Sequence, residues 1–248
     1  MKDTDEVADF GFRTVRAEDK AHLVRGVFDS VASRYDLMND LMSLGIHRLW
    51  KAELIGMLAP RPGMHLLDVA GGTGDVAFRF MEHGGGRVTV CDLTEDMVRV
   101  GRDRAVDRGL IAGIDWAVGN AEALPFPDRS VDAYTIAFGL RNVTRMDRAL
   151  AEAQRVLKPG GRFLCLEFSR LAWRWLEPLY DRYSFDILPA IGQAVAGDRE
   201  SYEYLVESIR RFPPQDELVR RIAAADLSRV TYRNLSGGIA AIHSAWRI

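Results

Sequence analysis

Between residues 18 and 31 the apolar side chains Val24, Val27, Phe28 and Val31 recur at i, i+3, i+4 and i+7, which gathers them on one stripe of a helix. A second helical stretch is expected over residues 37–58. Pro60-Arg61-Pro62-Gly63 then breaks the chain. Beyond it, short apolar runs alternate with helical stripes. Strands are predicted at 65–69, at 87–91 with Asp92 at its end, at 114–118, at 130–138 and at 162–168. The helices between them are predicted at 75–81 and 94–108, the latter with Glu95 and Asp96 in its first turn, where the helix dipole favours acids. A further stripe of Met146, Ala149, Leu150, Ala153, Val156 and Leu157 ends at an expected turn, Lys158-Pro159-Gly160-Gly161. Strands that alternate with helices imply an α/β fold: a doubly wound, mainly parallel sheet with helices on both faces.

Two departures from this alternation shape the expected architecture. Residues 171–211 are helical in pattern and rich in aromatics, and read as a lid or insertion on the substrate side. A helix at 215–225 and strands at 229–234 and 238–246 close the chain. The link Asn234–Gly238 is short and holds two glycines, so the last two strands are expected to pair as an antiparallel hairpin at the sheet edge. Residues 1–17 are expected to be a loose tail, 18–60 a helical cover, and 18–248 a single domain.

Composition narrows the function classes. The chain has 248 residues, 48% of them hydrophobic, and a formal net charge of −2. That suits one sizeable core and lacks the basic footprint of a nucleic-acid binder, so no nucleic-acid partner is expected. Cys91 and Cys165 sit far apart in apolar, strand-like runs. They read as buried thiols in a reducing compartment, not as a disulfide or metal site. No secretory segment or run of 18 apolar residues is evident, so a cytoplasmic protein is expected, with contact at the inner face of the cell membrane left open.

The chemistry begins at Leu66-Leu67-Asp68-Val69-Ala70-Gly71-Gly72-Thr73-Gly74-Asp75, a strand that runs through a glycine turn into a helix. Glycines let the backbone turn sharply and approach a ligand. About twenty residues on, Asp92 ends the next strand, where an acid accepts hydrogen bonds from a ribose diol. Gly72-x-Gly74-x-x-Ala77 nominally fits a dinucleotide fingerprint, which aims a helix N-terminus at a pyrophosphate. Asp68 and Asp75 argue against that reading, because carboxylates disfavour a polyanion. They suit a ligand with a sulfonium and an ammonium, as in S-adenosylmethionine. Gly119-Asn120-Ala121-Glu122 follows the third strand, at the sheet edge where the adenine of such a ligand is expected. Candidate cofactor residues are therefore Asp68, Gly71, Gly72, Thr73, Gly74, Asp92, Asn120 and Ala121, with no metal.

Two longer segments are more specific. Residues 35–51, YDLMNDLMSLGIHRLWK, and residues 155–169, RVLKPGGRFLCLEFS, closely resemble the two signatures of the ubiquinone/menaquinone biosynthesis C-methyltransferases. Phe138-Gly139-Leu140-Arg141-Asn142-Val143 and Tyr183-Ser184-Phe185-Asp186-Ile187-Leu188-Pro189 are similar to that family as well. The resemblance runs from Lys20 to the C-terminus. It implies the class I methyltransferase fold, with a seven-stranded sheet closed by an antiparallel hairpin. It also implies methyl transfer from S-adenosylmethionine, leaving S-adenosylhomocysteine, to a ring carbon of a lipophilic prenylated quinol. Thr73, Asp92, Asn120 and Ala121 would be its cofactor contacts. One position departs: family members often carry Ser before the Phe-Gly-Leu-Arg-Asn run, and here it is Ala137.

Methyl transfer to a ring carbon needs an electron-rich quinol, more so as a phenolate, and a phenol ionises near pH 10. Arg141 is the candidate charge partner for that phenolate, or else an ion pair that holds its loop; a guanidinium is not the base. Tyr35 and His47 come from the N-terminal segment, and His47 has the intrinsic pKa of a general base. Met38 and Met42, at i and i+4, line either a helix core or a prenyl channel. The rival readings are an NAD-dependent dehydrogenase, a non-catalytic scaffold of a quinone-synthesis complex, and a methyltransferase of another small molecule or RNA. A homodimer and a quinone-biosynthesis complex are both open as assemblies.

Overall fold

The computed structural model describes residues 6–31, 43, 45–110, 112–171, 182, 193 and 199–248. Five parallel strands and the helices between them lay down most of its sheet. These are β3 (His65–Val69), α3 (Asp75–Glu82), β4 (Arg87–Asp92), α4 (Glu95–Asp107), β5 (Ile114–Val118), β6 (Val131–Ala137), α5 (Met146–Val156) and β7 (Leu157–Phe168). The chain closes with α6 (Arg199–Arg211), α7 (Gln215–Ala224), β8 (Ser228–Leu235) and β9 (Ala240–Trp246). Seven strands form one sheet in the order β5-β4-β3-β6-β7-β9-β8. β3 through β7 are parallel to one another, whereas β9 runs antiparallel to both β7 and β8. The expected C-terminal hairpin is thus present, and its second strand, β9, is the one that joins the parallel sheet.

Alternation along the strands divides the core in two. Leu66, Val90, Leu164 and Ile242 face α2 (His47–Leu58), α3 and α6, while Leu67, Cys91, Phe163 and Ala245 face α5 and α7. Period-2 side-chain placement on strands buried on both faces gives this doubly covered layer. Cys91 and Cys165 are both free and buried, and burial pushes the Cys91 thiol up to about 12.

Three sequence expectations change. Residues 7–16 are not a loose tail: β1 (Val7–Phe10) and β2 (Arg13–Arg16) pair antiparallel about Gly11. Phe10 stacks on Tyr204 of α6 with ring centroids 4.2 Å apart. The Phe12 N–H donates to Glu207 at 2.9 Å, so the hairpin is docked onto α6, and α1 (Ala17–Val31) follows it directly. The second helical stretch is interrupted at Gly45, whose φ is +77°, with Gly45 and Ile46 in a turn before α2 begins at His47. The expected turn at Lys158–Gly161 lies inside β7. There the pairing register with β6 shifts between Val131 and Ala133, and the backbones of Gly160 and Gly161 exchange hydrogen bonds with Arg247. Of the expected insertion at 171–211, α6 is described, with single residues before it. Met38, Met42 and the Tyr183–Pro189 run lie outside the described residues. Among the described residues no helix is long and apolar enough to cross a membrane.

Candidate active site

The C-terminal ends of β3, β4, β5 and β6 meet at the glycine turn, as the switch point of a doubly wound sheet requires. Asp92, at the end of β4, organises it. One carboxylate oxygen accepts the Gly72 N–H at 2.8 Å and the other the Thr94 N–H at 2.9 Å. The same acid therefore fixes the turn and the entry to α4. Burial raises its pKa against those backbone hydrogen bonds. Gly74 caps α3 in a left-handed conformation, φ +87°, with the Trp116 ring only 2.6 Å from where a Cβ would stand.

Two cavities flank the turn. The first is bordered by Gly72, Asp92, Asn120, Ala121 and Phe138, and is roofed by Ala21 and Val24 of α1. Asn120 shapes its far wall, its side-chain oxygen accepting the Glu122 N–H at 2.9 Å. Apolar α1 residues over a rim of Asp92 and Asn120 suit a nucleoside, with a flat base and a diol. The second cavity is bordered by Lys51, Asp68, Gly71, Thr73, Asp75 and Ala137. There Asp68 is fully buried. Its Oδ1 accepts the Thr135 hydroxyl at 2.6 Å, and its Oδ2 is without a partner. Burial pushes Asp68 up to about 7, with Thr135 and the Lys51 charge opposing. Gly71 is glycine because a Cβ there would stand 2.8 Å from Asp68 Oδ2 and 2.7 Å from Val90. An orphaned carboxylate oxygen beside a backbone with no side chain fits a ligand that brings a cationic donor.

The structure thus brings Gly72, Asp92, Asn120 and Ala121 to one cavity and Asp68, Gly71 and Thr73 to the other, while Gly74 lines neither and caps α3. The Thr73 hydroxyl accepts from Arg104 at 2.9 Å. Ala137 lines the second cavity, so the departure from Ser falls on the site wall. Arg141 borders neither cavity. Its guanidinium donates to Glu167 at 2.7 Å and to the Phe138 carbonyl, and both side chains are almost fully buried. The geometry is that of an ion pair holding the β6 loop against β7. His47 is buried in the first turn of α2, its N–H donating to Ser43 at 3.2 Å. Tyr35 lies outside the described residues. Sequence reasoning missed Lys51, Thr135, Glu167 and Lys20. Each lines or supports the site only because the fold joins distant segments: Lys20, for example, is buried and donates to the Val143 carbonyl at 3.0 Å.

A seven-stranded sheet of this order, with a glycine turn after β3 and an acid closing β4, defines a class I S-adenosylmethionine-dependent methyltransferase. A methyltransferase of Thermotoga maritima described as a possible histamine N-methyltransferase shares the fold, with a TM-score of 0.66 at 18% identity over 91% of this chain and 100% of its own. The chain belongs to the ubiE/COQ5 methyltransferase family, whose model matches residues 14–247. It is similar to the ubiquinone/menaquinone biosynthesis C-methyltransferase UbiE of Acidiphilium cryptum, at 61% identity over 100% of both chains. It is also similar to that of Paracoccus denitrificans, at 60% identity over 96% of both. The family implies S-adenosylmethionine as cofactor, and the NAD-dependent dehydrogenase reading is set aside.

Proposed function

We propose that the chain transfers a methyl group from S-adenosylmethionine to a ring carbon of a prenylated quinol, benzoquinol or demethylmenaquinol, on the route to ubiquinone or menaquinone. End-to-end identity with relatives of that name carries the reading. The two cavities support the cofactor half. Asp92 and Asn120 would hold the ribose and base, and Asp68, Gly71 and Thr73 the amino-acid end. The cofactor supplies a methyl group already activated by its sulfonium, so the protein's part is chiefly to orient the acceptor and keep water out.

The Arg141–Glu167 pair fixes the loop that walls the first cavity through Phe138 and Gly139. Arg141 is ion-paired there and serves as a positioning residue, with its field available to a developing phenolate. Proton removal falls to His47 or Tyr35 on the N-terminal segment, and a pH–rate profile of His47→Asn tests the former. A lipophilic substrate calls for contact with the membrane surface from the cytoplasmic side, and the N-terminal helices and residues 171–211 would form the apolar cover. Liposome flotation with no binding, with and without a quinol analogue, would count against that contact.

Labelled S-adenosylmethionine offered with both demethylated quinols tests the whole assignment. Label in one or both products is expected. Incorporation into neither would leave the fold standing and remove the quinol. The same assay separates the enzyme from a non-catalytic scaffold.

A further inference from the structure

Lys51 is the least expected residue at the site. It projects from α2, its side chain only 7% exposed, and its Nζ meets Asp75 at 2.8 Å. Lysines are rarely buried this far unless paired. Asp75 also has a second cation, because Arg79, one turn along α3, donates to the other oxygen at 3.0 Å. Burial raises Asp75, but Lys51 and Arg79 together outweigh it and hold the carboxyl down at about 2. Arg79 would remain as the ion-pair partner of Asp75 if Lys51 turned away.

Across the same cavity stands Asp68 Oδ2, fully buried and without a partner. The cavity so presents one unsatisfied acceptor and one ammonium whose present partner has a second cation. An α-amino acid carries the complement, an ammonium and a carboxylate on one carbon. With Asp68 and Asp75 alone the cavity would repel the carboxylate; Lys51 removes that repulsion.

We propose that Lys51 is a specificity-determining residue that binds the carboxylate of the cofactor's amino-acid end, with Asp75 as the partner its ammonium leaves to do so. The inference rests on the S-adenosylmethionine reading above and adds to it the division of labour at one end of the ligand. Asp68 takes the ammonium, Lys51 the carboxylate, and Arg79 keeps Asp75 paired after the exchange.

Calorimetric titration of the full chain tests it with three probes: S-adenosylhomocysteine, its decarboxylated analogue, and 5′-methylthioadenosine, which lacks the amino-acid end. A hydrogen bond to a charged group is worth enough to expect about a 10–100-fold loss when one partner is removed. Lys51→Gln should weaken S-adenosylhomocysteine by that factor and leave 5′-methylthioadenosine within about twofold. Lys51→Arg should restore most of the loss. With the wild-type chain, decarboxylation of the ligand should cost a similar factor, and this measurement needs no variant to fold. Equal weakening of all three probes by Lys51→Gln, or no effect of decarboxylation on the wild type, would overturn the proposal. A wild-type chain that binds none of the three would instead refute the cofactor reading itself.

Discussion

Asp68→Asn is the perturbation from which the structure predicts most. An Asp that ionises at 3.8 when unfolded does so at about 7 in the folded chain, because burial penalises its charge more than the Thr135 hydroxyl and the Lys51 field relieve it. Between those values the native state holds a proton that the unfolded state has released. Stability therefore falls as pH rises through that window and levels off above the folded value. From pH 5 to pH 8 the loss assigned to this one group is about 2–3 kcal/mol, at about 1.4 kcal/mol per pH unit below the folded pKa. Asparagine keeps the shape and the acceptor for Thr135 but does not ionise. The advantage of the variant over the wild type should grow between pH 5 and pH 8 by those 2–3 kcal/mol, about 5–10 °C in Tm. Scanning calorimetry of both proteins at pH 5, 6, 7 and 8 reads this directly, and other titrating groups cancel in the difference. The gain should come with loss of S-adenosylhomocysteine binding, since a site that holds an unpaired acceptor is stabilised by removing its charge. Parallel stability curves from pH 5 to pH 8, or a gap that widens the other way, would refute the burial argument.

Other outcomes follow from the same geometry. Arg141→Ala leaves Glu167 buried without its partner, so urea denaturation should show a loss of about 3–5 kcal/mol. Paired replacement of Arg141 and Glu167 by apolar residues of similar volume should recover much of it. Gly74→Ala sets a Cβ against Trp116 at a left-handed φ. A loss of about 1–3 kcal/mol and a changed tryptophan emission are expected. Phe10→Ala removes the ring stacked on Tyr204 and should cost about 3 kcal/mol in thermal or urea unfolding. A loose N-terminal tail would give no change.

The elements that were legible in sequence are those whose pattern is local. Leu66 and Leu67, or Val90 and Cys91, announce strands buried on both faces because adjacent positions, which point to opposite faces, are both apolar. The amphipathic stripe of α5, Ala149, Leu150, Ala153 and Val156, announces a helix for the same reason. The N-terminal hairpin was illegible because only Phe10 of β1 is buried. Its ring is held by Tyr204, nearly two hundred residues away, and four-residue strands carry too few apolar positions to show a period. The turn expected at Lys158–Gly161 was read from Pro and Gly alone. Its four residues fall between the β6 pairings of Leu157 and Arg162, and Gly160 and Gly161 bond to the backbone of Arg247.

At the site the division is similar. Asp92 and the glycine turn were legible, because a ligand that approaches backbone closely demands glycine and a fixed spacing to the next strand. Lys51, Thr135 and Glu167 were not. A salt bridge or a hydrogen bond between segments leaves no periodicity in either one. The sequence alone determined the sheet-forming runs, the glycine turn and the family signatures, since each depends on neighbours within a few positions. Only the tertiary structure decided that Arg141 is spent on Glu167, that Asp68 keeps one oxygen unmatched, and that Lys51 stands opposite it. Burial and charge pairing are properties of space, and the chain acquires them only on folding.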